Sequence, residues 1–287
     1  MKKINYAIWA LCLLCFITTA VQAQDDLLNE LDKETKPVVF DYPAFKAMKI
    51  GNLQSTKVAD GGDLYLYVSH RFGSLRDGIN TFFGFDNANT KIQLVYGLWD
   101  GLQLGISRES LRKTYAASAK MSLLKQTKSF PVNVVAYGTI NVNTDLTKER
   151  FPLLDERDRL SYATQLLISR RITNALSLEL APSFVRQNLV LESFQAHNQA
   201  ALGIGGRLKL NKRLSVNLDY VYNFDRAKGS IYQDPFTIGL DIETGGHVFQ
   251  LLFSNAQSTN EPGFISTAEG NWAKGDIFFG FNIVRVF

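Results

Sequence analysis

Apolar and polar side chains alternate along most of this chain. Leu214, Val216, Leu218, Tyr220, Tyr222 and Phe224 are apolar or aromatic, and Ser215, Asn217, Asp219, Val221, Asn223 and Asp225 lie between them. A period of two over a dozen residues is a strand with one oily and one polar face, whereas a helix would scatter the same residues around its circumference. The pattern recurs in Leu176, Leu178, Leu180 and Phe184 against Ser177, Glu179, Ala181 and Ser183. It returns in Leu202, Ile204, Leu208 and Leu210 against Gly203, Gly205, Arg207 and Lys209, and in Phe236, Ile238, Leu240 and Ile242 against Thr237, Gly239, Asp241 and Glu243. It predicts twelve strands, near 62–72, 90–98, 101–110, 113–125, 130–142, 159–172, 175–190, 196–210, 213–226, 236–243, 246–255 and 275–287, with a further extended piece near 43–50.

Tight connections (Trp99-Asp100-Gly101, Thr173-Asn174, Asn211-Lys212, Thr244-Gly245-Gly246) alternate with long ones (73–89, 143–158, 227–235, 256–274). Short turns at one end and long loops at the other fit an up-and-down meander closed into a transmembrane antiparallel β-barrel, an all-β fold. Several strands reach the ~9–11 residues needed to cross hydrocarbon at a tilt. Their oily faces stay nearly free of charge, as lipid demands at ~2–4 kcal/mol per midplane charge. Their polar faces collect Glu179, Arg207, Lys209, Asp219, Asp225, Asp241 and Glu243, which are predicted to line a wet lumen. A fourteen-strand closure would need two more strands between 37 and 60. The last strand alternates through Ile277, Phe279, Phe281 and Ile283 to a terminal Phe287. This resembles the C-terminal strand of bacterial outer-membrane proteins, so Phe279, Phe281, Ile283 and Phe287 are expected to signal to the barrel-assembly machinery. Arg285 departs from that pattern and is expected to snorkel to headgroups.

Met1–Ala23 reads as a secretory leader: Lys2 and Lys3, an apolar run, and small residues before a cut between Ala23 and Gln24. Cleavage leaves 264 of 287 residues and removes both cysteines, Cys12 and Cys15, excluding disulfide scaffolds, thiol nucleophiles and Cys-ligated metals. It also turns 31 basic residues into 29 against 27 acidic ones, with no basic stripe for nucleic acid. The predicted organisation is a signal peptide at 1–23, a periplasmic or lumen-plugging segment at 24–60, and a barrel at 61–287. An even strand number puts both termini in the periplasm, with the barrel in the outer membrane of a Gram-negative bacterium.

Further along, His70-Arg71-Phe72-Gly73, Gly84-Phe85-Asp86-Asn87-Ala88-Asn89-Thr90, Tyr96-Gly97-Leu98 and Arg159-Leu160-Ser161-Tyr162-Ala163 recur as motifs of a known family. So do Asp241-Ile242-Glu243-Thr244-Gly245-Gly246-His247-Val248-Phe249-Gln250, Trp272-Ala273-Lys274-Gly275-Asp276 and Gly280-Phe281-Asn282-Ile283. By these the chain resembles, over roughly 40–287, the Bacteroidota β-barrel family catalogued as domain of unknown function 5777. The resemblance implies an outer-membrane barrel and no reaction.

The lumen charges admit two readings. Arg207 and Lys209 either brace the barrel by pairing with Glu179, Asp219 and Asp225 on neighbouring strands, or they line a narrow polar pore. The charged loop 144–158 has an apolar centre, and Arg150, Phe151, Asp155 and Arg157 are candidates for a constriction at the mouth. Phe82, Phe83 and Phe85 are expected at the rim. His70, His197 and His247 are too dispersed for a metal site, and no cofactor is expected. Ser161, Ser254 and Asn255 raise the remote alternative of a lipid hydrolase, but no spacing sets a hydroxyl beside an imidazole, so no enzyme is expected. The leading expectation is a narrow channel or transporter for small polar or amphipathic solutes, embedded in outer-membrane lipid; the alternative is a non-conducting structural or interaction barrel.

Overall fold

The computed structural model describes residues 44–244 and 247–287. They belong to one compact unit, Asp41–Phe287. The leader, the cut between Ala23 and Gln24, and residues 24–43 of the predicted plug segment lie outside the described residues.

Twelve strands form the wall: β1 (Leu64–Ser74), β2 (Ala88–Trp99), β3 (Leu102–Glu109), β4 (Thr114–Leu124), β5 (Asn133–Asn143) and β6 (Leu160–Arg171), then β7 (Leu176–Gln187), β8 (Asn198–Lys209), β9 (Leu214–Asn223), β10 (Phe236–Thr244), β11 (His247–Ser254) and β12 (Phe278–Val286). Each pairs antiparallel with its chain neighbours, and β12 closes onto β1 from Tyr65↔Val286 to Ser74↔Phe278, with a bulge between Arg71 and Ser74. Closure leaves no strand edge, so every wall amide can pair without water. Residues 44–59 add no strand to the wall, so the count is twelve rather than fourteen.

The two-residue period decides which way each side chain faces. On β9, Leu218, Tyr220 and Tyr222 are exposed on the outside while Ser215, Asn217, Asp219 and Asn223 are buried inside. Ile92, Leu94, Tyr96, Ile106, Leu178, Leu180, Ile204 and Leu251 continue this outer apolar band around the barrel. An apolar surface of that extent belongs against lipid. Near the loop end, Phe72 stacks on Phe279 with centroids 5.7 Å apart, and Phe85 and Phe253 pack beside them. Phe82 and Phe83 are exposed next to this cluster, on a turn with positive φ. Aromatic rings of this kind suit the membrane–water boundary. At the other end Phe287 and Leu64 exchange backbone hydrogen bonds, and Arg285 lies over the Phe287 ring at 4.7 Å. No helix among the described residues is long and apolar enough to cross a membrane, which says nothing of strands.

The connections 100–101, 125–132, 172–175 and 210–213 and both described chain ends share one end of the barrel, here called the turn end. The connections 75–87, 144–159, 188–197, 224–235 and 255–277 share the opposite, loop end.

Candidate functional site

The interior is filled from both ends. From the turn end, residues 44–59 enter and double back as a short hairpin. Lys49 bridges Gln54, Ile50 N–H donates to Leu53 O at 2.8 Å, and Ser55 N–H donates to Met48 O at 2.9 Å. Apart from Lys46, every residue from Ala44 to Ser55 is buried. A two-stranded tip cannot satisfy its own outward backbone groups, and buried ones need partners. The wall supplies them. Asp219 accepts from Asn52 N–H at 2.9 Å, and Glu179 accepts from Thr56 N–H at 3.0 Å. Gln250 Nε2 donates to Lys49 O and Ile50 O, and Asn282 Nδ2 donates to Gly51 O at 3.3 Å. Lys120 Nζ gathers Met48 O, Ser55 O and Lys57 O within 3.3 Å. Arg71, fully buried, donates to Asn52 Oδ1 at 2.8 Å and to Asn282 Oδ1 at 3.1 Å.

On the β5–β9 side the contact is apolar. Phe45, Ile50 and Leu53 join Val135, Tyr137, Leu167, Ala181, Val185, Ala201 and Val221 in one buried cluster. Two glycines of β8 make room. A Cβ on Gly205 would stand 2.3 Å from Ile50 Cδ1, and one on Gly203 would stand 2.9 Å from Leu53 Cδ1.

From the loop end, the β11–β12 connection descends. Residues 258–268 are all buried and carry α1 (Glu261–Ser266), capped by Asn260, whose Oδ1 accepts from Gly263 N–H at 2.8 Å. Phe264 and Ile265 enter the same apolar cluster. Glu109 of β3 anchors the connection: it accepts from Thr259 N–H at 2.6 Å, from Thr259 Oγ1–H at 3.0 Å and from Asn260 Nδ2.

The two inserts meet in mid-lumen. Lys49 Nζ donates to Thr259 O at 2.9 Å and lies 4.0 Å from Glu261 Oε1. Gln54 Nε2 donates to the same Oε1 at 2.8 Å, and Tyr137 O–H donates to Oε2 at 3.0 Å. Burial, then the Lys91 and Arg71 cations, pull the Lys49 ammonium down to about 7 against the attraction of Glu261 and Glu109. The open space among the described residues includes a cavity of about 450 Å³ at the loop end, lined in part by Pro262 and Gly263, and others of about 370 and 160 Å³ at the turn end.

The predicted lumen residues now have places. Glu179, Asp219, Asp241, Arg207 and Glu243 are buried and face inward; Lys209 is half-buried near the turn-end mouth. Asp225 does not reach the lumen. It lies past the end of β9, exposed, where it accepts from Ala200 N–H at 2.7 Å. The cross-strand pairing expected of Arg207 does not form either. Register sets Gly205 between Glu179 and Asp219 and leaves Arg207 opposite Ser177 and Asn217, so it reaches instead to Glu243 on β10. In the 144–158 loop, Phe151 lines the loop-end cavity, but Arg150, Asp155 and Arg157 are exposed, and the loop packs on itself over Leu154. Arg150 pairs with Asp145 at 3.3 Å. The mouth is closed by the β11–β12 connection instead. Phe279, Phe281 and Ile283 lie on the outer face of β12. Ser254 accepts from Asn52 Nδ2 at 2.9 Å and Asn255 Nδ2 donates to Gly270 O at 3.1 Å, while His70 Nδ1 lies 2.8 Å from Thr90 Oγ1 on the outer face. His247's side chain lies outside the described residues. Among the described residues no group of three His, Cys, Asp or Glu is placed to hold a metal ion.

Sequence reading missed Lys49, Asn52, Gln54, Glu261, Glu109, Arg71 and Lys120. The last three carried a usable signal, since each is a charge at an inward position of an alternating strand.

An apolar exterior around a polar wall, closed within by two inserts, defines a membrane-spanning, plugged β-barrel. The family model described as membrane bound beta barrel domain (DUF5777) matches residues 45–287, and the chain belongs to that family. Among solved structures the chain is similar to the KdgM porin, at 10% identity over 78% of this chain and 99% of that one, with a TM-score of 0.49. It is also similar to the COG4313 outer membrane channel from Pseudomonas putida F1, at 12% identity over 80% and 97%, TM-score 0.48. The NanC porin matches at 8% identity over 78% and 98%, TM-score 0.47. Comparison with curated proteins gave no match.

Proposed function

We propose that this protein is a gated outer-membrane channel for small polar or amphipathic solutes, shut at rest by its hairpin and its β11–β12 connection. In this reading the turn end faces the periplasm, and the outer strip of β12 ending in Phe287 addresses the barrel-assembly machinery. The observation that carries it is the mid-lumen contact of Lys49 and Gln54 with Glu261 and Thr259, which separates the cavities at the two ends. Gating follows from the wall chemistry. From β10 round to β3 the inward residues include Asp241, Gln250, Asn282, Arg71, Gln93 and Glu109 beside the apolar Leu252, Val284, Tyr65, Tyr67 and Val95, a mixed surface whose polar part water can wet once the inserts leave.

The apolar cluster on β5–β9 favours a second reading, a permanently filled structural or interaction barrel. Planar-bilayer recordings of the wild type and Gly205→Leu separate the two. Leucine at 205 occupies the space of Ile50, and overpacking of this kind costs ~1–3 kcal/mol. The channel reading expects a closed wild type and discrete, ion-conducting steps in the variant. A variant that folds, releases residues 48–55 to protease and still conducts nothing refutes the channel and leaves the filled barrel.

A further inference from the structure

We propose that the loop-end cavity binds a small amphipathic carboxylate, an alkyl chain of medium length with one terminal carboxyl group. The cavity of about 450 Å³ lies among the start of β6, the 144–158 and 188–197 connections and α1. Its apolar lining comes from Phe151, Leu160, Leu189, Val190, Leu191 and Pro262. Phe151, Leu189 and Leu191 are exposed, and an alkyl chain laid against them removes that surface from water. Asn260 and Pro262 of the same lining are buried within the lumen, so the cavity belongs to the mouth of the barrel and not to its lipid-facing wall. At the ~30 Å³ that a water takes, this volume holds about fifteen non-hydrogen atoms, the size of a carboxylate of about ten to twelve carbons.

The head group follows from Arg159, which lines the cavity and ends the turn Glu156–Arg159 leading into β6. Its Nη1 pairs with the exposed Glu156 at 2.9 Å, while its Nε is buried without a hydrogen-bond partner. A buried guanidinium donor left unpaired is costly, and the Nε–Nη2 edge of an arginine presents two parallel donors spaced for one carboxylate. Tethered on one side only, the guanidinium needs a small rotation to turn that edge onto a ligand. The surrounding charges balance. Glu156 lies between Arg159 and Lys148, Arg112 lies 3.9 Å from Glu269, and the Asp158 carboxylate accepts from Asp155 N–H at 2.9 Å. The open donor edge, and not a net field, therefore selects the head group. The proposal names a solute for the channel proposed above and rests on that reading for the solute's onward passage, whereas binding is read without conduction.

Isothermal titration of the full-length protein in phosphatidylcholine nanodiscs with decanoate tests it, empty nanodiscs supplying the partition blank. One saturable site per chain is expected above the blank. Decanol and decyltrimethylammonium should bind at least about tenfold more weakly, since neither carries the carboxylate that Arg159 pairs. Acetate keeps the head and loses the chain, and should show no saturable binding. Arg159→Gln should raise the decanoate Kd about tenfold and leave that of decanol unchanged, a split that general damage to the mouth would not give. Arg76→Gln, exposed in the β1–β2 connection outside the lining, should leave the decanoate Kd unchanged. No saturable decanoate binding overturns the proposal, as does decanol, decyltrimethylammonium or acetate binding as tightly as decanoate. So does an Arg159→Gln variant in which the decanoate Kd stays put or rises no more than that of decanol. A failed titration overturns this site alone, because the channel is judged by the bilayer recordings.

Discussion

Glu261→Ala tests whether the two inserts act as one. The carboxylate belongs to the loop-end insert, yet two of its partners, Lys49 and Gln54, belong to the hairpin that enters from the opposite end. A third, Tyr137, is part of the wall. Truncating it leaves the Lys49 ammonium buried beside Lys91 and Arg71 with its nearest counter-charge gone. Breaking a buried charged pair from one side costs ~3–5 kcal/mol. At about 1.4 kcal/mol per factor of ten, opening of the hairpin should become roughly a hundredfold to several-thousandfold more frequent. The assay is hydrogen exchange of the Ile50, Asn52 and Ser55 amides, which are held by Leu53 O, Asp219 and Met48 O respectively. Such amides report local opening free energy directly. A Lys49→Met, Glu261→Gln double-mutant cycle should return a coupling energy of ~1–3 kcal/mol, as contacting charged residues do. Unchanged exchange at 48–55 in Glu261→Ala would refute the reasoning, because the inserts would then be held by the wall independently.

Three further outcomes are expected. Lys49 titrates near 7 when docked and near 10.5 when free, so the docked hairpin binds fewer protons between those values. Docking should therefore strengthen as pH rises through about 7 to 10 and level off below 7, with a slope of up to ~1.4 kcal/mol per pH unit that Lys49→Met abolishes, read from protection factors corrected for intrinsic exchange. Ile204→Arg, on the outer face near the middle of β8, should lower stability in lipid vesicles by ~2–4 kcal/mol by urea titration. Asp219→Ala removes the acceptor for Asn52 N–H and should raise protease sensitivity at the hairpin tip while the barrel keeps its heat-resistant mobility on gels.

The wall was legible because each strand reports its own orientation: Leu218 and Tyr220 outward and Asp219 inward follow from three consecutive letters. The filling was not. Period two says that Glu179 and Asp219 face inward, but not that the intervening Gly203 and Gly205 leave a hollow shaped for Leu53 and Ile50 from 150 residues earlier in the chain. Residues 43–50 read only as an extended piece within a periplasmic or lumen-plugging segment at 24–60, because a four-residue hairpin tip has too few positions to show a period. Gly51, which fits against Asp219 and Thr237, gives no signal outside that setting. Residues 256–274 looked like another long loop, and only burial distinguishes the descent of α1 from the self-packed 144–158 segment.

Arg71 on β1 and Asn282 on β12 stand on either side of the line where the first strand meets the last, and both hold the hairpin tip. The segment that precedes the first strand thus laces that junction from within, and its full set of bonds needs both the first and the final strand in place. A chain deprived of residues 44–59 would therefore close its seam with the Arg71 guanidinium still held by His70 O, Phe281 O and Asn282 Oδ1 but missing its Asn52 partner.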